Sequence, residues 1–251
     1  MASSVSADSR SPTAGATPKK PGTISLKPLM FETFVCTLAM MSFVALIGPL
    51  ARAVGLATWQ AGAAMTVGGI AWVWFSRIWG HKSDRRGRRR VLLQGLGGFV
   101  LSHAALCAFI VIALEYLPPV WLVFAGVLLL RAISGGYYAA VPATAGALVA
   151  DHFSPDKRAG ALAMLGAASA AGMVAGPGFA GLLASYSLAL PLYVTSVLPA
   201  LALLMLWRFL PRNEVCALAP DAAAPPLRLA DPRLRRPLAV SLVAMGCVTI
   251  A

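Results

Sequence analysis

WGHKSDRRGRRRVLL, residues 79–93, decides how this chain is read. Six Lys or Arg and one Asp fall between His81 and Arg90, and apolar sequence flanks them on both sides. Charge is scarce elsewhere. The 251 residues are 59% hydrophobic and 12% charged, where a soluble globular domain carries about 25% charged residues. The net charge of +12 would by itself admit nucleic acid or anionic lipid as a partner. The gaps between charges exclude nucleic acid, because such a partner needs basic residues spread over a soluble fold.

Residues 33–50, 53–76 and 91–114 carry no charge, 116–150 carry only Arg131, and 159–207 carry none. A helix that crosses a bilayer needs about 20 mostly apolar residues, so these runs predict six spans: 29–50, 57–78, 91–114, 118–149, 159–183 and 188–210. A seventh apolar run, 237–251, has fifteen residues. Each span is expected to be helical, because lipid offers backbone groups no outside partner. The fourth is too long for one straight crossing, and Pro142 predicts a bend there or a helix that runs on into the cytoplasm.

The resulting organisation is an all-α membrane protein. Residues 1–27, rich in Ser, Ala, Thr and Pro, read as a disordered cytoplasmic tail. Residues 28–210 form a six-helix transmembrane bundle. Residues 211–236, with Pro211, Pro220, Pro225, Pro226 and Pro232, read as a cytoplasmic linker. Residues 237–251 read as the start of a truncated seventh transmembrane helix. Of the 21 Lys and Arg, nineteen fall on one side, in the tail, the second-to-third and fourth-to-fifth connections and the linker. That asymmetry places the N-terminus in the cytoplasm.

Topology alone explains the basic content of 79–93 but not its other residues. Gly80, Asp84, Arg85, Gly87, Arg88 and Arg89 give G-x-x-x-D-R-x-G-R-R. The glycines permit close approach or unusual backbone angles. Asp84 is a lone carboxylate among guanidinium groups and a natural partner for a helix N-terminus. Arg131 lies deep in the fourth span, where an ionisable side chain faces the bundle interior or a cavity and marks function. Gly172, Gly176 and Ala180 repeat every four residues and make a smooth face for close helix packing. Pro177 removes a backbone donor there. Met40, Met41, Phe43, Tyr137 and Tyr138 are of the types that line adaptable apolar cavities, though simple packing accounts for each. His103 reads as a hydrogen-bonded interior residue. Cys36, Cys107, Cys216 and Cys247 show no metal or redox spacing and read as small apolar filler.

These motifs resemble those of the major facilitator superfamily of transporters. The basic stretch is similar to its signature loop between helices two and three, with Lys82 where the family usually has an apolar residue. Arg131, Gly135 and Ala139 resemble its fourth-helix motif R-x-x-x-G-x-x-x-A, with Ser134 where Gln is common. Gly172, Gly176 and Pro177 resemble the fifth-helix motif of its exporters, chiefly drug–proton antiporters, with Ala180-Gly181 where two glycines are common. DHFSPDKRAGA, residues 151–161, looks like the loop before helix five, where Asp151, Lys157 and Arg158 would either pair with the basic loop or lie solvated.

The resemblance implies an N-terminal six-helix bundle made of two inverted three-helix repeats. It would face a C-terminal six-helix half missing here, with the substrate site between the two. It further implies that 80–89 latches the cytoplasmic side, that Arg131 serves proton coupling or substrate contact, and that Gly172, Gly176, Pro177 and Gly181 form an occluding face. Proton antiport usually needs a carboxylate inside the membrane. Glu32 and Glu115 lie near span ends, so Glu32 with Arg131 is the expected coupling pair unless the acid lies in sequence absent here. The expected partners are the lipid bilayer, a small-molecule substrate (drug, antibiotic, metabolite or siderophore), protons and the missing half. The expected location is a bacterial inner membrane. No cofactor, metal or enzymatic centre is expected, since Ser134, the glycines at 95–98 and the histidines lack the required spacings. The alternative is a truncated, transport-incompetent product or a membrane interaction partner, because the chain stops inside an apolar run.

Overall fold

The structure, a computed structural model, describes residues 25–210. The expectations for residues 1–24, the linker and the start of a seventh helix lie outside the described residues. Those described form seven helical segments and, among them, no strand: α1 (Leu26–Ala53), α2 (Thr58–Arg86), α3 (Arg88–Tyr116), α4 (Val120–Tyr138), α5 (Ala140–His152), α6 (Pro155–Ala184) and α7 (Leu190–Phe209). Five units are long and apolar enough to cross a membrane: α1, α3, α4 with α5, α6 and α7. The sixth expected span, α2, has 29 residues but is not among the five. Thr58, Gln60, Thr66 and four glycines dilute its apolar content. It is held to the bundle by packing on α4.

The breaks follow local chemistry. Gly55 (φ 75°) turns the chain after α1, and Gly87 (φ 90°) separates α2 from α3. Pro118 and Pro119 follow the end of α3 at Leu117, the one non-glycine residue with positive φ among those described (φ 43°). The fourth span parts at Ala139, between α4 and α5. Pro142 has no N–H to give the carbonyl one turn earlier, at Tyr138, so the interruption falls upstream of the proline itself. Pro155 opens α6 at its first position, where its missing donor is harmless. Pro177 sits inside α6, which continues through it to Ala184.

The basic stretch expected as a loop is almost entirely helix. α2 runs on through Asp84, Arg85 and Arg86, and α3 begins at Arg88. Arg and Lys favour helix, and at a helix C-terminus their charge complements the macrodipole. The connection therefore reduces to Gly87 alone. α1 likewise begins at Leu26 and draws Lys27 and Pro28 into the helix.

α1 packs mainly on α6 and α7, α2 on α4, and α3 on α4, α5 and α7. Two apolar clusters result. One joins Phe43, Leu46, Leu50, Leu106, Ile110, Val123 and Leu192. The other joins Leu29, Met40, Leu96, Phe99, Leu148, Leu165 and Leu206. Large apolar side chains such as Leu101, Val174 and Leu204 point outward, as lipid-facing positions do. Exposed Trp59, Tyr116, Trp121 and Tyr186 gather at the end opposite the basic residues, the interfacial position these rings favour.

α1 and α6 approach closely because glycine lets them. A Cβ on Gly172 would stand 2.7 Å from the Phe34 carbonyl oxygen, and one on Gly176 2.7 Å from Met41 Cβ. Ser42 Oγ donates across the contact to the Gly176 carbonyl at 3.0 Å. Gly181, expected as part of the same face, has nothing within 4 Å of its Cβ position. It meets open space because it lies off the buried stripe of Gly172, Gly176 and Ala180. Gly172→Val should therefore destabilise the protein by about 1–3 kcal/mol through overpacking, while Gly181→Ala should be neutral or slightly stabilising. Thermal melts of the two variants in one detergent check this; equal losses would contradict it.

Candidate functional site

The residues singled out from sequence form two centres, one at the basic end and one inside the bundle. At the basic end Gly87 caps α2 and opens α3 with φ 90° and ψ 137°, a backbone shape closed to other residues without strain. Arg88, the first residue of α3, reaches both neighbours. Its Nε donates to Asp151 Oδ2 at 2.9 Å, on α5, and its Nη1 to Ser83 Oγ at 3.0 Å. Nη1 also pairs with Asp84, one turn back on α2. One guanidinium thus ties α2, α3 and α5. Arg89 donates from Nε to the Leu210 carbonyl and from Nη2 to the Trp207 carbonyl, each at 3.1 Å. It satisfies carbonyls that the end of α7 would otherwise leave open.

Not every residue of the motif is drawn in. Gly80 lies inside α2 with nothing within 4 Å of its Cβ position, so it serves neither a turn nor a close approach. Arg85 and Arg86 are exposed. Asp151 joins the cluster, whereas Lys157 and Arg158 are exposed at the start of α6. Lys82 rests its ammonium 4.4 Å from the centre of the Trp79 ring.

Inside the bundle, Arg131 is 5% exposed. Its Nη1 points at Met40 Sδ (2.8 Å) and its Nη2 at Met65 Sδ (3.8 Å). Its Cζ lies 5.1 Å from the centre of the Phe43 ring. Nε has no partner. Met40 belongs to one apolar cluster and Phe43 to the other, so the cation sits where the two meet. Room for its stem comes from Gly68 on α2, where a Cβ would stand 3.0 Å from Arg131 Cγ. A Cβ on Gly135 would run into the Gly68 carbonyl oxygen. Gly135 therefore acts as a spacer, holding α2 and α4 close enough for Arg131 to lie over Gly68.

Glu32 is fully buried, although its place near the start of α1 suggested a span end. The start of α1 is covered because Leu29, Cys36 and Leu206 pack together there. Thr33 Oγ1 donates to Glu32 Oε2 at 3.3 Å, and Oε1 has no partner. Glu32 and Arg131 are not brought together. The guanidinium touches Met40, eight residues further along α1, about 12 Å at 1.5 Å per residue. Among the described residues no ion pair involves Arg131.

Of the expected cavity residues, Tyr137 lines an open groove. The groove is about 480 Å³ and lies between α2 and α4, lined by Ala71, Phe75, Trp79, Ala132, Ile133, Gly136 and Tyr137. Met40 and Phe43 enclose Arg131 instead. Met41 packs onto Gly176, and the Tyr138 hydroxyl pairs with Thr37 Oγ1 at 3.0 Å. His103 is fully buried, stacked on Phe99 at 5.3 Å, with its Nε2 3.7 Å from Cys107 Sγ and its Nδ1 unpartnered. Among the described residues no group of His, Cys, Asp and Glu could hold a metal ion.

Sequence reading missed Met65, Gly68 and Trp79. Trp79 Nε1 donates to the Gly136 carbonyl at 2.8 Å, joining α2 to α4 beside the groove. An indole donor just before a charged helix end was the available signal. No signal distinguished Met65 from any other apolar residue of α2.

The family description that fits this chain is Major Facilitator Superfamily, matched over residues 29–251. The tetracycline resistance protein, class C, of Escherichia coli is 36% identical over 128 residues, which cover 51% of this chain and 29% of that protein. The class D protein of Salmonella ordonez is 34% identical over 135 residues, covering 54% of this chain and 31% of that one. The match thus spans about a third of the length of these relatives. Among solved structures, the human organic anion transporter MFSD10 (TETRAN) superposes with a TM-score of 0.58 at 22% identity, over 75% of this chain and 47% of that one. The peptide transporter POT does so with 0.61 at 21% identity, over 90% of this chain and 44% of that one. At these identities the two share the fold.

The basic centre is testable as a network. A double-mutant cycle of Arg88→Gln with Asp151→Asn should give a coupling of about 1 kcal/mol that falls at high salt. The more exposed Arg88–Asp84 pair, one helical turn apart, should give about 0.3–0.5 kcal/mol. Gly87→Ala should cost about 1–3 kcal/mol of backbone strain. Chemical denaturation in mixed micelles reads all three; a larger coupling to Asp84 than to Asp151 would reverse the ranking.

Proposed function

The chain belongs to the Major Facilitator Superfamily, and we propose that it supplies the N-terminal six-helix half of a secondary transporter that exports small molecules by alternating access. Its setting is a bacterial inner membrane, crossed several times, with the N-terminus and the basic end in the cytoplasm. A second six-helix unit completes the substrate site. Similarity to tetracycline resistance proteins favours drug-like, amphipathic substrates, and the resemblance of Gly172, Gly176 and Pro177 to the exporters' fifth-helix motif favours export by proton antiport. The groove between α2 and α4 is within the 300–1,000 Å³ range of small-molecule sites.

One observation carries this reading. Arg88 sits on a one-residue break and joins three helices at the basic end through two carboxylates and a hydroxyl. Such a cluster latches the cytoplasmic side when closed. Because its members are partly exposed, water can take over their hydrogen bonds when the helices separate. Of the expected gate residues, Asp84, Gly87, Arg88 and Arg89 are assigned to this gate, with Gly87 and Arg88 at its centre, whereas Gly80 and Arg85 stand outside its contacts. Gly172, Gly176 and Pro177 form the close-packed α6 face. Arg131, set by Gly135, and Glu32 are two separate buried stations for proton coupling or substrate contact.

The test uses a complete transporter containing this half. Cells expressing it should accumulate less tetracycline, read by its fluorescence, and an uncoupler should restore accumulation. Asp84→Asn should abolish efflux while the protein still inserts in the membrane. Unchanged efflux by Asp84→Asn would sink the latch, and indifference to the uncoupler would sink proton coupling.

A further inference from the structure

We propose that the groove between α2 and α4, with Lys82 and Arg86 beyond its basic end, binds one anionic phospholipid, an acyl chain lying in the groove and the phosphate resting on the two cations. Such a site is independent of transport and says what occupies this face of the bundle in the membrane. Phe75 and Trp79 on α2 and Ile133 and Gly136 on α4 are among the residues that line the groove of about 480 Å³. The lining offers almost nothing polar. The Trp79 indole N–H is already given to the Gly136 carbonyl at 2.8 Å, which leaves the Tyr137 hydroxyl as the one free polar side-chain group. A drug-sized ligand needs a few well-placed polar groups to fix its orientation, whereas an acyl chain needs none. The surroundings are apolar too, since Trp72, Trp74 and Ile78 on α2 and Leu129 on α4 are exposed.

Charge lies at one end of the groove only. Lys82 rests its ammonium 4.4 Å from the centre of the Trp79 ring, so the cation and the groove share a wall. Phe75, Trp79, Lys82 and Arg86 follow one another at intervals of four, three and four residues, which keeps them on one face of α2. Arg86 is exposed. The carboxylates of α2 and α5 are already engaged, because Asp84 and Asp151 both pair with Arg88. Among the described residues neither Lys82 nor Arg86 has a carboxylate partner.

An apolar trough that ends in unneutralised cations asks for an apolar tail that ends in an anion. A phospholipid has that order of parts, and the bilayer brings it to the groove from the side. On the orientation proposed above, the two cations meet the cytoplasmic leaflet, whose surface is negative and whose anionic lipids basic residues at this depth attract. Lysine and arginine suit the place, because their stems lie along apolar surface while their charged heads stay at the interface.

Native mass spectrometry of the full 251-residue chain in detergent micelles, titrated with dioleoyl phosphatidylglycerol, tests the site. Dioleoyl phosphatidylcholine, with the same chains and no net charge, is the reference. The first phosphatidylglycerol should bind about tenfold tighter than the first phosphatidylcholine, and the preference should shrink as salt rises. Lys82→Gln combined with Arg86→Gln should bring the two lipids to within about twofold of each other, while Lys82→Arg combined with Arg86→Lys should keep the preference. Ala132→Phe, which fills the groove, should weaken both lipids and leave their ratio unchanged. Lys157→Gln combined with Arg158→Gln, at the exposed start of α6, should alter neither, which separates the site from general attraction to a basic surface. Equal affinity for the two lipids overturns the proposal. So does a preference that the Lys157 and Arg158 substitutions lower as much as those at Lys82 and Arg86. Displacement of bound phosphatidylglycerol by tetracycline also overturns it, by giving the groove to a drug. Because the readout is lipid binding, a chain that binds phosphatidylglycerol but moves nothing fails the transporter reading alone, and an exporter that ignores the lipid's charge fails only this inference.

Discussion

Backbone amides in hydrocarbon have no water to bond with, and the rest of this structure follows from how the chain meets that constraint. Among the described residues, every long run that avoids charge becomes a helix that satisfies itself. The polar residues that remain are driven to the helix ends, where carbonyls and amides still need partners. Arg89 shows the consequence directly, since it donates to two carbonyls at the end of α7. The same pressure makes connections short. Between α2 and α3 it leaves only Gly87, which reverses the chain with a backbone geometry that costs other residues strain.

Once helices are self-satisfied, lipid gives them little hydrophobic reason to associate, and close packing of small residues must bring them together. The glycines with crowded surroundings mark where this happens. Gly172 and Gly176 seat α6 on α1, and Gly68 and Gly135 seat α4 on α2. The second contact also positions chemistry. A side chain at Gly135 would push the helices apart, and one at Gly68 would take the space in which Arg131 lies.

Much of this was legible in the sequence, because charge-free runs, basic ends and proline positions report directly on the solvent each segment meets. The bundle, the interior placement of Arg131 and the Gly172–Gly176 face all follow from such patterns. Other features depend on rotation and depth, which a single sequence does not display. Gly80 and Gly87 look equivalent in the motif, yet only Gly87 has a conformation that needs glycine. Glu32 seemed peripheral by its position in α1 but is covered by residues from distant parts of the chain. Glu32 and Arg131 are plausible partners by charge alone, and helix rise keeps them apart. Met65 contacts Arg131 through a thioether, an interaction that leaves no charge pattern to read. Trp79 gained a role only when α4 placed a carbonyl opposite its indole.

The two central arginines show how depth changes what one side chain can do. Arg88 has two carboxylates within reach and remains partly exposed. Breaking its pairs costs little, since exposed ion pairs are worth about 0–1 kcal/mol and water replaces what is lost. Arg131 has no carboxylate and almost no exposure, so water cannot play that part. A helix rearrangement can open the basic end cheaply, but it cannot leave Arg131 facing hydrocarbon without a partner. Any state of the bundle must keep acceptors around that guanidinium, such as methionine sulfur or an aromatic face.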